Sequence, residues 1–232
     1  MKFSRPSTLL LTFLLLLKPI AFAEEEAPPQ VKTEILSLSL FQPVSGLFLF
    51  NGEEVVPFKS VPRGFGIPIP YEGPASVPFY RDEKAFLPEA VPTQPDATVT
   101  LPLQSDRVLI LTGNATSVPL PLKAIPIDTQ KIRNGDYLIV NLSRRPVAFV
   151  IGGKQIKVAA GKIGFLTDPA WKEGILDLPV YMGYQSEGEM KTYSSVWGHR
   201  PTRRNFVFIF DRDQTDAAPE LRRIYDTVPQ GD

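Results

Sequence analysis

The chain has 232 residues, with 25 basic and 25 acidic side chains, one histidine and no cysteine. That composition excludes thiol nucleophiles, disulfides, Cys-ligated zinc, haem attached through Cys and iron–sulfur clusters with Cys ligands. The balanced charge gives no general attraction to nucleic acid or to an anionic membrane, and a Ser-His-Asp triad is possible only with His199 as its base.

Residues 1–23 have the layout of a secretory signal peptide. Lys2 and Arg5 precede an apolar run over 9–17, Lys18-Pro19 ends it, and Ala21-Phe22-Ala23 is a small-x-small cleavage pattern. The run is short for a membrane span, although Lys18 directly after it keeps an uncleaved anchor open. No cysteine follows the cleavage point, so a lipoprotein anchor is excluded. Export to the periplasm or the exterior is expected. Residues 24–30 are acidic and then Pro-rich, and read as a flexible lead-in.

Strand signals then recur at short spacing. They cover 35–41, 47–50, 55–58, 77–81, 98–103 and 108–112, with Asn51-Gly52 as a hairpin signal. Val99, Leu101 and Leu103 alternate with Thr100 and Pro102, as in a half-buried edge strand. Frequent prolines, among them Pro57, Pro70 and Pro78, argue against long helices and protect strand edges. A second group starts near Val118 and covers 137–142, 147–151, 155–158, 163–166, 178–185, 190–196 and 205–211. The run from Tyr137 to Leu142 is apolar on both faces until Asn141, which fits a central strand. Phe48, Phe50, Phe206, Phe208 and Phe210 are expected as strand-core residues. Several helix formers over 217–225 allow one short terminal helix.

The expected fold is all-β. Two small antiparallel β-sandwich (Ig-like) domains in tandem, over 31–116 and 117–213 with a tail at 214–232, come first. One larger sandwich is the alternative. The halves share a hairpin-rich texture without a residue-level repeat.

Among the motifs, GGKQIKVAAGKIG from Gly152 to Gly164 invites a phosphate-loop reading. It fails that test, because Ile156 stands where the first glycine belongs and Ile163 where Ser or Thr belongs. Gly152-Gly153 as a tight hairpin turn explains the same residues. The densest cationic stretch is WGHRPTRRN, with Trp197, His199, Arg200, Arg203 and Arg204. Paired guanidiniums there suit a carboxylate, a sulfate or an acidic sugar, with Trp197 stacking on a sugar ring or an Arg. A solvated loop with Trp197 in the core is the competing reading. Tyr71-Glu72-Gly73-Pro74 with Tyr80, Arg81, Asp82 and Glu83 is a second polar and aromatic cluster, whose acids read as solvating more than catalytic. Asp168-Pro169-Ala170-Trp171 reads as a turn with a packing Trp. Asn114-Ala115-Thr116 and Asn141-Leu142-Ser143 match the glycosylation pattern.

The segment NGDYLIVNLSRRPVAFVIGGKQIKVAAGK, with Trp197, Arg204 and 206–211 downstream and Tyr71–Pro74 and 77–81 upstream, resembles a family of exported all-β proteins of Verrucomicrobia-type bacteria. A fainter likeness is to periplasmic β-sandwich accessory proteins of envelope polysaccharide systems. Neither resemblance implies an activity, a cofactor or a metal. The expectation is a non-enzymatic interaction or accessory module of the cell envelope, meeting an envelope protein or an acidic glycan. The alternatives are a carbohydrate-active hydrolase using Asp or Glu, and a structural subunit assembling by strand exchange through an open edge or a detachable strand near 31–41.

Overall fold

The computed structural model describes residues 28–91, 93–114, 116–117, 119–128, 131–212 and 218–227. The proposed signal peptide and most of the lead-in therefore lie outside the described residues. The chain is almost entirely β, with sixteen strands in the described part: β1 (Gln30–Ser39), β2 (Val44–Phe50), β3 (Val55–Ser60), β4 (Ile69–Pro74), β5 (Ser76–Phe79), β6 (Ala97–Thr100), β7 (Arg107–Thr112), β8 (Leu122–Ile127), β9 (Tyr137–Asn141), β10 (Val147–Ile151), β11 (Lys154–Val158), β12 (Ile163–Leu166), β13 (Leu176–Ser186), β14 (Glu189–His199), β15 (Arg203–Phe210) and β16 (Glu220–Thr227). Two single-turn 3-10 helices, Glu83–Phe86 and Pro169–Lys172, are capped by Asp82 and Asp168.

The strand order repeats with an offset of eight. One central sheet runs β4-β1-β7-β8 and the other β12-β9-β15-β16. In each, one pair is parallel, β1 with β7 and β9 with β15, and the rest are antiparallel. The outer sheet beside the second is β11-β10-β13-β14. Its counterpart is the hairpins β2-β3 and β5-β6, joined through a Phe48–Tyr80 bridge. The order therefore duplicates although the residues do not. β8 lies beyond the expected boundary between 116 and 117 and still pairs with β7, so the chain passes between the two sets after Ile127.

Side-chain alternation explains how the layers stack. On β1, Val31 and Ile35 face one core, shared with Leu47, Leu49, Phe58 and Phe79. Leu36 and Leu38 face the opposite way, with Leu109, Leu111, Ile125 and Ile127. There they meet Leu138, Val140, Phe206, Phe208, Phe210 and Ile224 from the other central sheet. The second sheet's other face, Tyr137, Ile139, Val207 and Ile209, packs on Phe149, Val180, Met182 and Trp197 of the outer sheet. Both central sheets are thus covered on both faces. That is why Arg107–Thr112, Tyr137–Asn141 and Arg203–Phe210 read as nearly unbroken apolar runs.

The seam between the central sheets is closed by polar groups. Arg204 pairs with Asp226 at 2.5 Å, Arg107 reaches the same carboxylate at 3.3 Å, and Arg107 also holds Glu34 at 2.5 Å. Toward the opposite end, the Arg222 guanidinium donates to the Ser39 carbonyl at 2.9 Å and lies over the Phe210 ring.

Several expectations are corrected. Residues 220–227 form β16 and not a helix, because Leu221, Arg223 and Tyr225 alternate with Arg222, Ile224 and Asp226 beside β15. On β2 the inward residues are Leu47 and Leu49, while Phe48 is half-buried and Phe50 is exposed. A one-residue shift of register exchanges the two faces. Residues 71–74, outside the strands expected from the sequence, belong to the edge strand β4. β6 stops at Thr100, so Pro102 follows the strand, and Leu103 is exposed.

Gly152-Gly153 is the tight turn of the β10–β11 hairpin, with φ of 53° and 83° at the two glycines and Ile151 paired to Lys154. Val158 enters the core and Ile156 packs at its margin. Lys154, on the same side of the strand, reaches Asp168 at 3.2 Å. The Ala170 backbone N–H and then Lys154 hold the Asp168 carboxyl below its ordinary range.

Trp171 and Trp197 both lie in the second set of eight strands, whereas far-ultraviolet dichroism reports both sets. Because the seam ties them together, urea unfolding curves from tryptophan fluorescence and from dichroism should superimpose. Phe208→Ala should lower stability by about 3–5 kcal/mol without separating the two curves.

Candidate functional site

The stretch expected to bind is the end of β14, a four-residue turn and the start of β15. The turn spans Arg200 to Arg203, closed by the Arg203 N–H donating to the Arg200 carbonyl at 3.2 Å. Strand alternation on each side of it separates the five expected residues. Trp197 and His199 point into the core, Arg200 is exposed, Arg203 is half-buried, and Arg204 turns to the seam.

His199 is 0 % exposed and both ring nitrogens are engaged. The Trp171 carbonyl, 2.7 Å from Nε2, can only accept, so Nε2 carries the proton. Nδ1 then accepts from the Tyr137 hydroxyl at 3.2 Å. The ring stacks with Tyr137 and lies against Trp171. Burial lowers the His199 pKa and pushes the Tyr137 phenol up to about 12. His199 is therefore an internal brace, not a ligand-binding group or a triad base. Arg204, whose side chain is 6 % exposed, is committed to Asp226 and is likewise removed from the surface site.

What stays at the surface is a ladder that the sequence reading did not assemble. The Arg223 guanidinium lies 4.9 Å from the Trp197 ring centroid and 5.4 Å from that of Tyr225. Arg203 covers Tyr225 at 4.7 Å. Arg223 also donates to the Gly198 carbonyl at 3.4 Å, bridging β16 to β14 across the open side of the outer sandwich. Tyr225 is 45 % exposed and both arginines are half-buried. Among the described residues, Arg200, Arg203 and Arg223 form no ion pair. The signal that could have revealed the ladder was the Leu221, Arg223, Tyr225 alternation, which the helix reading of 217–225 concealed.

The second expected cluster resolves into structural roles. The buried Tyr71 hydroxyl donates to the Pro74 carbonyl at 2.6 Å, Asp82 caps a 3-10 turn, and Asp96 accepts from the Arg81 N–H at 2.8 Å. Tyr80 packs edge-on against Phe86. Glu72 pairs with Lys32 at 2.7 Å on the rim of a cleft of about 420 Å³, which Glu53, Glu54 and Asn51 also line.

The two glycosylation patterns part company. Asn114 is exposed, with Oδ1 accepting from Thr116. Asn141 is fully buried. Its Nδ2 lies 2.9–3.1 Å from the Arg145, Val158 and Ala159 carbonyls, and its Oδ1 accepts from the Ser143 N–H and hydroxyl. The Asn-Leu-Ser motif thus ties β9, the loop after it and the end of β11 together, and its amide is not free to carry a glycan in the folded chain.

Asn141→Ala would strand those carbonyls and should cost about 2–4 kcal/mol, measured by urea denaturation. For His199, the folded pKa lies below the ordinary 6.5, so the unfolded chain binds the proton more readily. Its contribution to stability is complete above pH 6.5 and falls as the pH drops below that value. Melting temperatures from pH 8 to 5 should show this loss, and His199→Gln, which retains a donor toward the Trp171 carbonyl, should flatten it. No protein-family model matches the chain and no curated protein matches it.

Proposed function

We infer that the chain is an exported interaction module of the cell envelope or its exterior, with its two eight-stranded sets as tandem sandwich domains, and that it holds an acidic glycan. The observation that carries this reading is the ladder of Trp197, Arg223, Tyr225 and Arg203, with Arg200 one turn away. Stacking on aromatic rings fixes the guanidinium planes before any ligand arrives, so little side-chain freedom is lost on binding. Each guanidinium keeps in-plane N–H donors that match a carboxylate or a sulfate. The neighbouring Asp226 is occupied by Arg204 and Arg107, so it does not offset the positive charge of the ladder. An envelope protein presenting an acidic surface would use the same donors. The hydrolase reading is supported less, because Glu72 of the acidic cleft is already neutralised by an exposed Lys32.

The test is retention of the full chain on immobilised polyuronate and sulfated polysaccharide, with a neutral glucan as control. Retention is expected on the acidic resins only, and should weaken as salt is raised. The double variant Arg203→Ala/Arg223→Ala should lose about tenfold or more of the affinity, in line with two charge-assisted contacts. Equal retention on the neutral glucan, or an unchanged double variant, would refute the reading.

A further inference from the structure

β14 is the edge strand of its sheet, and one side of its backbone is open. Pro179 faces Val196 in the β13–β14 register and has no N–H to give, so this is a pair that exchanges no backbone hydrogen bonds. The Gly198 carbonyl points away from β13, since it accepts from Arg223. Both facts fix the same parity. Met190, Thr192, Ser194 and Val196 direct their N–H and C=O groups outward, and Met190–Val196 make no backbone bond outside the β13–β14 ladder among the described residues. The flanking side chains are exposed: Val196, Met190, Tyr181 and Tyr193.

This edge lacks the usual protection. Met190–Val196 contains no proline, and its one charge, Lys191, is neutralised by Glu189 at 2.7 Å. The corresponding strand in the first set, β6, is only four residues long and lies against β8. β14 has eleven residues and continues past β10, whose pairing with β13 ends at Tyr184.

We propose that β14 pairs antiparallel with β14 of a second copy of this chain, joining two outer sheets into one eight-stranded sheet across a twofold axis. The occupant and the register follow from the strand itself. The free backbone runs from Met190 to Val196, so full overlap of two copies places the axis at Tyr193. Thr192 then stands opposite Ser194 of the other copy, and Met190 opposite Val196. All of these are outward-directed, hydrogen-bonding residues, as an antiparallel ladder needs. The apolar Met190 and Val196 cover each other, and the two Tyr193 side chains meet at the axis. Lys191 falls opposite Ser195 and Glu189 opposite Trp197, so no like charges are juxtaposed. The stretch from Thr192 to Trp197 is uncharged and offers nothing to select a partner of opposite charge, whereas it complements itself.

Sedimentation equilibrium of the full chain should give twice the chain mass, with dissociation on dilution. The chain has no cysteine, so any disulfide in a single-cysteine variant must link two copies. Tyr193→Cys puts two sulfurs at a close, non-hydrogen-bonded pair on the axis and should oxidise to a covalent dimer at least tenfold faster than Thr192→Cys, whose counterpart across the axis is Ser194. Ser194→Pro removes an outward N–H that the monomer does not use, and should give a monomer with unchanged dichroism. A single-chain mass at every concentration overturns the proposal, as does cross-linking of Tyr193→Cys no faster than that of Thr192→Cys. A dimer that survives Ser194→Pro also overturns it, and if that variant does not fold the two cysteine variants decide.

Discussion

The molecule depends on the apolar seam between its two central sheets. Leu36, Leu38, Leu109 and Leu111 on one side meet Leu138, Phe206 and Phe208 on the other, and all seven are buried. Without the seam, each central sheet would expose a row of large apolar side chains to water. A chain without disulfides must rely on such burial, worth roughly 1.5–3 kcal/mol for each fully covered side chain. The ends of the seam are polar, and there the ion pairs serve geometry. Arg204 and Asp226 join neighbouring strands, and Arg107 extends the link to the other sheet. Removing Asp226 would leave the buried Arg204 guanidinium without its partner, which costs far more than the intact pair contributes.

The repeated strand order makes the two halves comparable position by position, and their differences fall at the open sides of the sandwiches. In the second set β11 runs beside β12, and a Cβ on Gly164 would stand 2.8 Å from both Ile156 and Val158, so that side is shut. The equivalent side of the first set, between β3 and β4, holds the cleft lined by Glu53, Glu54 and Glu72. On the opposite side the roles reverse. β6 lies against β8, whereas β14 and β16 are bridged by the Arg223 side chain. The surface features with functional promise are therefore the places where one copy of the plan was left open.

Much of this was legible from sequence, for physical reasons. A strand buried on both faces is apolar at nearly every position, so the run from Tyr137 to Val140 was recognisable as central without knowing its neighbours. The positive φ at Gly152 and Gly153 follows from a two-residue hairpin between apolar runs. What escaped was information carried by pairing. Leu47 to Phe50 is apolar throughout, so nothing local says which parity faces the core. Glu220–Thr227 mixes arginines with apolar residues, and only β15 beside it decides between helix and strand. The duplication was hidden because it is one of strand order, and the hairpin β13–β14 is far longer than β5–β6. The cationic stretch misled in the same way. Adjacent letters suggested one patch, but consecutive residues of a strand face opposite ways. Arg203 and Arg204 therefore serve different layers.

The ladder and the open edge share a strand. Trp197 supports Arg223, and Gly198 accepts its hydrogen bond, immediately after the stretch whose backbone is free. In the proposed dimer each copy would bring its own ladder to one continuous sheet, in an orientation fixed by the ladder of hydrogen bonds. A single cluster of three arginines at a wet surface is a weak, salt-sensitive anchor. Two such clusters held at a constant separation convert the second contact into an intramolecular one, and a repeating acidic polymer offers the matching second site. On that argument assembly and binding reinforce each other. Ordering β14 against a partner would hold Trp197 and Gly198 in place beneath Arg223, and an acidic polymer spanning both ladders would hold the two copies together.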